Sequence, residues 1–306
     1  MRIFAVVVNW NGGAETLRCL RSLEEQGAAL ERILVVDNAS TDGSRNEIAR
    51  LHPRVELIDS GANLGYGGGN NLGFARALER GAEAVLVVNN DVTFDRGAVE
   101  RLAQPFGDAA LGCAGPRVVL RDDPRRVWAA GGLLTWKQNL STLRGFGQAD
   151  GAEFEREVDV DYVPGCALLV RREVLERIRG FDERYFAYTE DVDFGLRARR
   201  AGFRSACIGS ARAYHAPSSS TGGGYNPRRK YMMAVNSIWF LREYAGLREW
   251  LMFALYDVAS LPFALVDGLC RGQAKAVLAK ALGLWHGLRG RRVTADVVRS
   301  GATRLW

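Results

Sequence analysis

The 306 residues predict an α/β fold in which a mixed sheet is flanked by helices and followed by a helical C-terminal extension. Three observations carry that prediction. Short β-branched runs alternate with helical stretches up to Asp91, a polar turn follows each of those runs, and basic charge gathers beyond position 228. With 47% hydrophobic and 25% charged residues, the chain can bury one large core, or one core with an appendage.

The apolar runs at 3–8, 33–36, 55–58 and 84–88 are each four to six residues long. Helical stretches at 14–26, 44–51 and 70–80 separate them, which is the pattern of βαβ units in a parallel sheet. Ligands of such open sheets bind beyond the carboxyl ends of the strands, and the polar residues stand there. Asn9-Trp10-Asn11-Gly12-Gly13 follows the first run, Asp37-Asn38-Ala39-Ser40-Thr41-Asp42-Gly43 the second, Asn63-Leu64-Gly65-Tyr66-Gly67 the third and Asn89-Asn90-Asp91 the fourth. After Asp91 the strands become mixed. Residues 127–136 read as a hairpin, and a polar, Gly-rich stretch runs on to about Glu157. A second apolar strand at 166–170 then leads into a helix at 171–178. Residues 211–225, rich in Ser and Gly, read as a hinged loop that could act as a lid.

From Arg228 the chain reads as helical, which divides it into residues 1–227 and an extension of 228–306. The extension holds thirteen Lys/Arg against five acids, a net of +8, so the rest carries −2 and the basicity belongs to the tail. Residues 251–270 are apolar but include Asp257, Pro262 and Asp267, a poor composition for a clean membrane span. Two readings stay open: a helix lying among the headgroups of an anionic membrane surface, or a cap whose apolar face covers the core. No nucleic-acid partner is expected. Residues 1–9 are too short an apolar start for a signal peptide, so a cytoplasmic location is expected, at most peripheral at the inner face of the membrane. The five cysteines are odd in number and far apart, as expected of reduced, buried thiols.

Tyr188-Thr189-Glu190-Asp191-Val192-Asp193 packs three carboxylates into four residues at the start of an amphipathic basic helix. Thr189 can cap that helix through its hydroxyl, and the positive end of the dipole favours the acids. The aromatic lead-in 180–187 would hold the acidic turn against a partner, and a carboxylate held so can serve as a general base. Asp37, at a strand tip, can accept hydrogen bonds from a nucleobase or ribose, or cap the next helix. The glycines from Gly65 to Gly73 permit close approach of a phosphate or sugar at a helix start. A dinucleotide fingerprint would follow the first strand, whereas this one follows the third. Asp91, with Asn89 and Asn90 before it, could bind a divalent cation that bridges to a diphosphate, or be structural. His215, one of three histidines, could complete such a metal shell or sit on the surface.

Together, Val7-Val8-Asn9-Trp10-Asn11, Val35-Val36-Asp37-Asn38-Ala39-Ser40-Thr41-Asp42-Gly43-Ser44, Asn63-Leu64-Gly65-Tyr66-Gly67, Asn89-Asn90-Asp91, Gly165-Cys166-Ala167-Leu168-Leu169-Val170-Arg171-Arg172 and Glu190-Asp191-Val192-Asp193 resemble the family-2 glycosyltransferases of the A-type, Rossmann-like fold. The resemblance covers about residues 3–245 and is nearest in flavour to rhamnosyltransferases of bacterial surface polysaccharide assembly. It implies a nucleoside-diphosphate sugar donor and a saccharide or lipid-linked acceptor. Asp37 would then contact the base, with Val8 and Asn9 lining the same pocket and Asn63 and Gly65 holding the nucleoside or diphosphate. Asn89 and Asn90 would lie on the sugar-nucleotide side, Asp91 would bind Mg²⁺ or Mn²⁺ with His215, and Asp191 would deprotonate the acceptor hydroxyl. Glu190 and Asp193 would support it on the acceptor side, keeping its pKa from falling too low. Asn89 stands where many relatives carry an Asp, and Asn70 where an Arg is common. The implied chemistry is a metal-dependent, inverting displacement. The alternatives are a sugar-nucleotide pyrophosphorylase, which would need a cation in the turn after the first strand, and a non-catalytic carbohydrate-binding protein.

Overall fold

A computed structural model of the chain describes residues 1–216 and 225–306. Strand β1 (Ile3–Asn9) sends Ile3, Ala5 and Val7 into one half of the core and Phe4 and Val6 into the other. A strand buried on both faces belongs in the middle of a sheet. Helix α1 (Gly13–Glu24) leads to β2 (Arg32–Asp37), α2 (Ser44–Leu51) to β3 (Glu56–Asp59), and α3 (Gly65–Glu79) back across β1 to β4 (Ala84–Asn89). β1 pairs in parallel with β2 and β4, and β2 with β3, so four carboxyl ends share one edge. The predicted βαβ half is present, with α3 starting at Gly65 instead of 70.

The second half is antiparallel in part. It runs β5 (Val92–Phe94), α4 (Ala98–Ala103), β6 (Leu111–Leu120), β7 (Val127–Ala129), β8 (Gly132–Leu134), β9 (Ser141–Leu143), β10 (Glu157–Val160), β11 (Ala167–Arg171), α5 (Arg172–Ile178), α6 (Glu190–Arg200) and β12 (Arg204–His215). The sheet order is β10-β12-β6-β11-β4-β1-β2-β3, with β5 on β12 and β7 on β6. Because β11 runs antiparallel to β4, its amino end arrives at the edge where β1, β2 and β4 finish.

Three expectations need correction here. Residues 127–136 do not form a hairpin: β7 pairs with β6, and β8 pairs with β9 in a separate ribbon. Residues 211–215 are not loop but the end of β12, where Ala213, Tyr214 and His215 pair with both β5 and β6. The remainder of the expected lid, 217–224, lies outside the described residues. Four cysteines are buried as expected, but Cys270 is exposed.

The extension comprises α7 (Pro227–Tyr244), α8 (Leu247–Phe253), α9 (Leu261–Cys270), α10 (Ala274–Leu288) and α11 (Ala295–Val298), with a π-helical turn at Ala254–Val258 joining α8 to α9. It divides in character. α7 is largely buried: Tyr231, Met232 and Val235 pack on Ala279 of α10, and Ala234, Ile238 and Phe240 join Tyr162, Tyr185 and Val192. Leu247–Cys270 is 24 residues long; its apolar stretch has a mean hydropathy of 1.4, and 17% of that stretch is buried. By length and composition alone it is apolar enough to cross a membrane, and the two acids and the proline that argue against a clean span lie within it.

Candidate active site

Asn9 closes β1, and every polar atom of its fully buried amide meets protein. Nδ2 donates to Asp37 Oδ1 (2.9 Å), Ser40 Oγ (3.0 Å) and Ser44 Oγ (2.9 Å), while Oδ1 accepts from Thr16 Oγ1 (2.7 Å). Asn9 therefore acts on the cleft through Asp37, whose Oδ2 also accepts the Ser40 N–H at 3.1 Å. Val8, half-buried, presents its methyls to α3 at Gly69. Asn38, next to Asp37, ties β2 to the start of α3: its Oδ1 accepts from Leu64 N (3.0 Å), and its Nδ2 donates to Asn63 Oδ1 (3.1 Å) and Gly65 O (3.0 Å).

The glycines of α3 also serve close packing within the protein. At Gly65, φ is +73°, and a Cβ there would lie 2.4 Å from the carbonyl oxygen of Phe186. The space admits that carbonyl, which accepts from Tyr66 N at 2.6 Å. A Cβ at Gly69 or Gly73 would meet the methyls of Val8 and Val6. At these positions the missing side chains make room for backbone and strand of the protein itself.

At the tip of β4, Asn89 Oδ1 is buried with no protein partner, and Asn90 Nδ2 donates to Thr16 Oγ1 at 3.1 Å. Asp91 and His215, both buried, are brought together by the β5–β12 pairing, with His215 Nε2 3.2 Å from Asp91 Oδ1. His215 is thus no surface histidine, and Trp128 packs edge-on against its ring at 4.3 Å. Among the described residues, no group of three or more His, Cys, Asp or Glu side chains is arranged to hold a metal. Asp91 and His215 are a pair and not a cluster, so a divalent cation held there would take most of its ligands from phosphate and water.

Asp191 lies in the first turn of α6, its Oδ2 accepting from Gly165 N (3.1 Å) and its Oδ1 from Val192 N (2.9 Å). The next carbonyl, Cys166 O, accepts from Asn89 N at 2.9 Å. One dipeptide at the amino end of β11 therefore links the acidic turn to the tip of β4. Tyr66 completes the grip by donating its hydroxyl to Gly165 O at 2.6 Å. Burial, reinforced by Glu190 and Asp191, holds that phenol well above its ordinary pKa, so it remains a donor.

The three carboxyls of the turn differ. Burial raises Asp191, and the Gly165 and Val192 amides oppose the rise. Burial and then the Asp191 charge raise Glu190 much further, and its Oε2 has no partner. Asp191 is therefore the member of the pair that keeps the charge. Asp193, fully buried, is bound by Arg197 Nε (2.6 Å) and Tyr244 Oη (2.6 Å), a supporting position inside the packing of α6 on α7. Thr189 occupies the cap position but makes no side-chain cap bond, because its φ of 75° turns the residue left-handed.

The sequence profile of Glycosyl transferase family 2 matches residues 4–179, and that of Glycosyl transferase family group 2 matches residues 98–284. The N-acetylglucosaminyl-diphospho-decaprenol L-rhamnosyltransferase of Mycobacterium tuberculosis is 34% identical over 246 residues, covering 71% of this chain and 76% of that one. The dTDP-rhamnosyl transferase RfbF of Shigella flexneri is 24% identical over 249 residues, covering 79% and 80%. Among solved structures, the mannosyltransferase PcManGT of Pyrobaculum calidifontis, in complex with GDP-Man and Mn²⁺, aligns with a TM-score of 0.61 at 16% identity, covering 95% of this chain and 88% of that one. Residues 1–349 of S. aureus TarS, in complex with UDP-GlcNAc, align at 0.56 and 14% identity, covering 95% and 93%. These two likenesses show the fold, while the profile and the 34% relative show the family. The chain is a glycosyltransferase and belongs to glycosyl transferase family 2.

Proposed function

We propose that this enzyme is an inverting, metal-dependent transferase that moves a sugar, rhamnose first among candidates, from a nucleoside diphosphate to a hydroxyl of a lipid-linked saccharide. The observation that carries the proposal is the meeting of Asp37, the Asp91–His215 pair and Asp191 at one sheet edge, joined through Gly165-Cys166. The 34% relative, named for rhamnosyl transfer to a diphospho-decaprenol glycan, supports the substrate class.

Asp37, oriented by Asn9, receives the nucleoside of the sugar donor, with Val8, Asn63 and Gly65 shaping that end of the cleft. Asn89 and Asn90 stand on the sugar side. Asp91 and His215 would hold Mg²⁺ or Mn²⁺, whose charge when bound offsets that of the departing diphosphate. The acceptor O–H gives its proton to Asp191 as its oxygen bonds to the anomeric carbon; the bond from that carbon to the phosphate oxygen breaks on the opposite side, and the nucleoside diphosphate leaves with the electron pair. Glu190, neutral beside it, lets Asp191 remain the single charged base.

The membrane side of the proposal rests on the extension, with catalysis in residues 1–227 and the basic helices of 228–306 placed at the inner face of the membrane. Leu251, Leu255, Phe263, Val266 and Leu269 are each 61–79% exposed on one helix, and Arg248, Arg271 and Lys275 are exposed beside them. Arg271 is paired with exposed Asp267, which leaves Arg248 and Lys275, among the described residues, as the unneutralised cations, and apolar side chains flanked by cations suit the headgroup layer of an anionic bilayer.

The test is incubation with dTDP-, UDP- and GDP-sugars, Mg²⁺ or Mn²⁺, and a polyprenyl-diphosphate saccharide. Nucleoside diphosphate should be released only with metal and acceptor, and the product should have the anomeric configuration opposite to that of the sugar donor. Retention at that carbon, or full turnover in chelator, would overturn the mechanism; release of pyrophosphate would indicate nucleotidyl transfer.

A further inference from the structure

The segment that delivers Asp191 is strained. Phe186, Tyr188 and Thr189 all have positive φ, at 57°, 69° and 75°, and none is glycine. Left-handed residues in such a run persist only where the surroundings over-determine them. One clamp is the Phe186 carbonyl, held by Tyr66 N at the start of α3. The other is a single side chain. Asn236, fully buried on α7, aims Nδ2 at three carbonyls of the segment: Tyr185 O (2.8 Å), Ala187 O (2.9 Å) and Tyr188 O (2.7 Å). An amide has two N–H bonds, so the three carbonyls share them.

The amide is an odd choice if packing were its whole purpose. Apart from Ser237, its buried neighbours on α7 are apolar, among them Met232, Val235, Ile238 and Phe240. Asn236 Oδ1 is buried without a partner, a cost that a smaller apolar residue would avoid. What that cost secures is a donor pair facing carbonyls that no helix or strand satisfies. The segment then enters α6 at Glu190 and Asp191 with no slack.

We infer that Asn236 is a positioning residue for the reaction: its amide fixes the left-handed segment 186–189 and thereby the place of the Asp191 carboxylate beneath Gly165. This rests on the reading of Asp191 as the base. Asn236 contacts neither Asp37 nor Asp91, and Tyr66 N holds the Phe186 carbonyl at the start of α3 independently of it, so the larger effect is on turnover and the smaller on nucleotide affinity.

Steady-state kinetics on Asn236→Ala, Asn236→Ser and Asp191→Asn, each checked by thermal unfolding, test the inference. Asn236→Ala should lower kcat about ten-fold or more while the KM for the sugar donor stays within about two-fold, and Asn236→Ser, which keeps one donor, should fall between. The acid limb of the kcat/KM profile should move to lower pH by about half a unit or more in Asn236→Ala, because a loosened segment lets water reach Asp191 and weakens the burial that raises its carboxyl. Should Asn236→Ala not fold, the same comparison is made on Asn236→Ser. A folded variant with parental kcat and an unmoved acid limb overturns the inference, as does a rise confined to the KM for the sugar donor. Parental turnover in Asp191→Asn would instead overturn the reading on which it rests.

Discussion

Glu190 and Asp191 are adjacent carboxyls in one buried turn, and their hydrogen bonds decide which of them is charged. Asp191 has two backbone donors, Gly165 N and Val192 N; Glu190 Oε2 has none, and the Asp191 charge adds to its burial. If Asp191 is the base, Asp191→Asn should lose on the order of 10²-fold or more in turnover and keep its nucleotide affinity, as measured by kinetics and by nucleotide titration. Glu190 makes a separate prediction about stability. Its folded-state pKa is raised, so its contribution is fully present below the ordinary glutamate value and is lost as pH rises toward the folded one. Glu190→Gln removes that loss. The melting temperature of the variant relative to the parent should be nearly unchanged at about pH 4, where free glutamate is protonated, and should grow more favourable by pH 8. A difference of the opposite sign would mean that Glu190 is charged and paired in the folded protein.

At the scale of elements, close approach at the start of α3 links the sugar-donor side of the cleft to the acidic turn. Gly65 and Gly43 are both left-handed, at φ +73° and +81°, but a Cβ on Gly43 would meet nothing within 4 Å. Gly43→Ala should therefore cost only the conformational term, roughly 1–2 kcal/mol. Gly65→Ala should cost more in chemical denaturation and also depress turnover, since its Cβ must displace the Phe186 carbonyl that Tyr66 holds. Equal losses in the two variants would show that this contact is slack. The same comparison shows what was legible in the sequence. β1, β2 and β4 could be read because β-branched runs buried on both faces leave no polar alternation to confuse them, and polar residues stand at their tips. β6 was obscured by Gly112, Gly115 and Pro116 inside a buried strand. The end of β12 reads as loop because it runs straight into the Pro, Ser and Gly of 217–224, which mask the strand-like alternation of Ala211, Arg212, Ala213 and Tyr214; the pairing with β5 and β6 identifies it. Asp37, Asp91 and Asp191 were legible as strand-tip and helix-start acids. Asn236 was not, since an amide in a helix carries no local signal of its own; the available clue was a polar residue four places from both Met232 and Phe240, on the face they share.

The whole molecule presents two working faces, the carboxyl edge of the sheet and the outer side of Leu247–Cys270. On that helix the usual arrangement of a surface helix is inverted. Asp257 is buried and ion-paired with Lys280 of α10, while Leu251, Leu255, Phe263, Val266 and Leu269 face outward. The inward pair fixes which side of the helix rests on α10, and the exposed side is too apolar to be left in water at no cost. Exposed Arg248 and Lys275 flank it, Arg271 is paired with exposed Asp267, and each unpaired cation near an anionic surface adds about 1 kcal/mol of attraction. A helix anchored to its own protein through a buried ion pair lies along a bilayer more readily than it crosses one, because crossing would strip Asp257 and Lys280 of each other. The full-length enzyme should therefore float with vesicles containing anionic lipid, float less with zwitterionic vesicles, and be released in part by high salt. Leu255→Asp combined with Phe263→Asp should abolish flotation while leaving turnover on a water-soluble acceptor analogue intact, since neither residue approaches the sheet edge. Recovery of the parent enzyme wholly in the unbound fraction with both vesicle types would assign this face to another partner, and unchanged flotation of the double variant would place the membrane contact elsewhere on the basic extension.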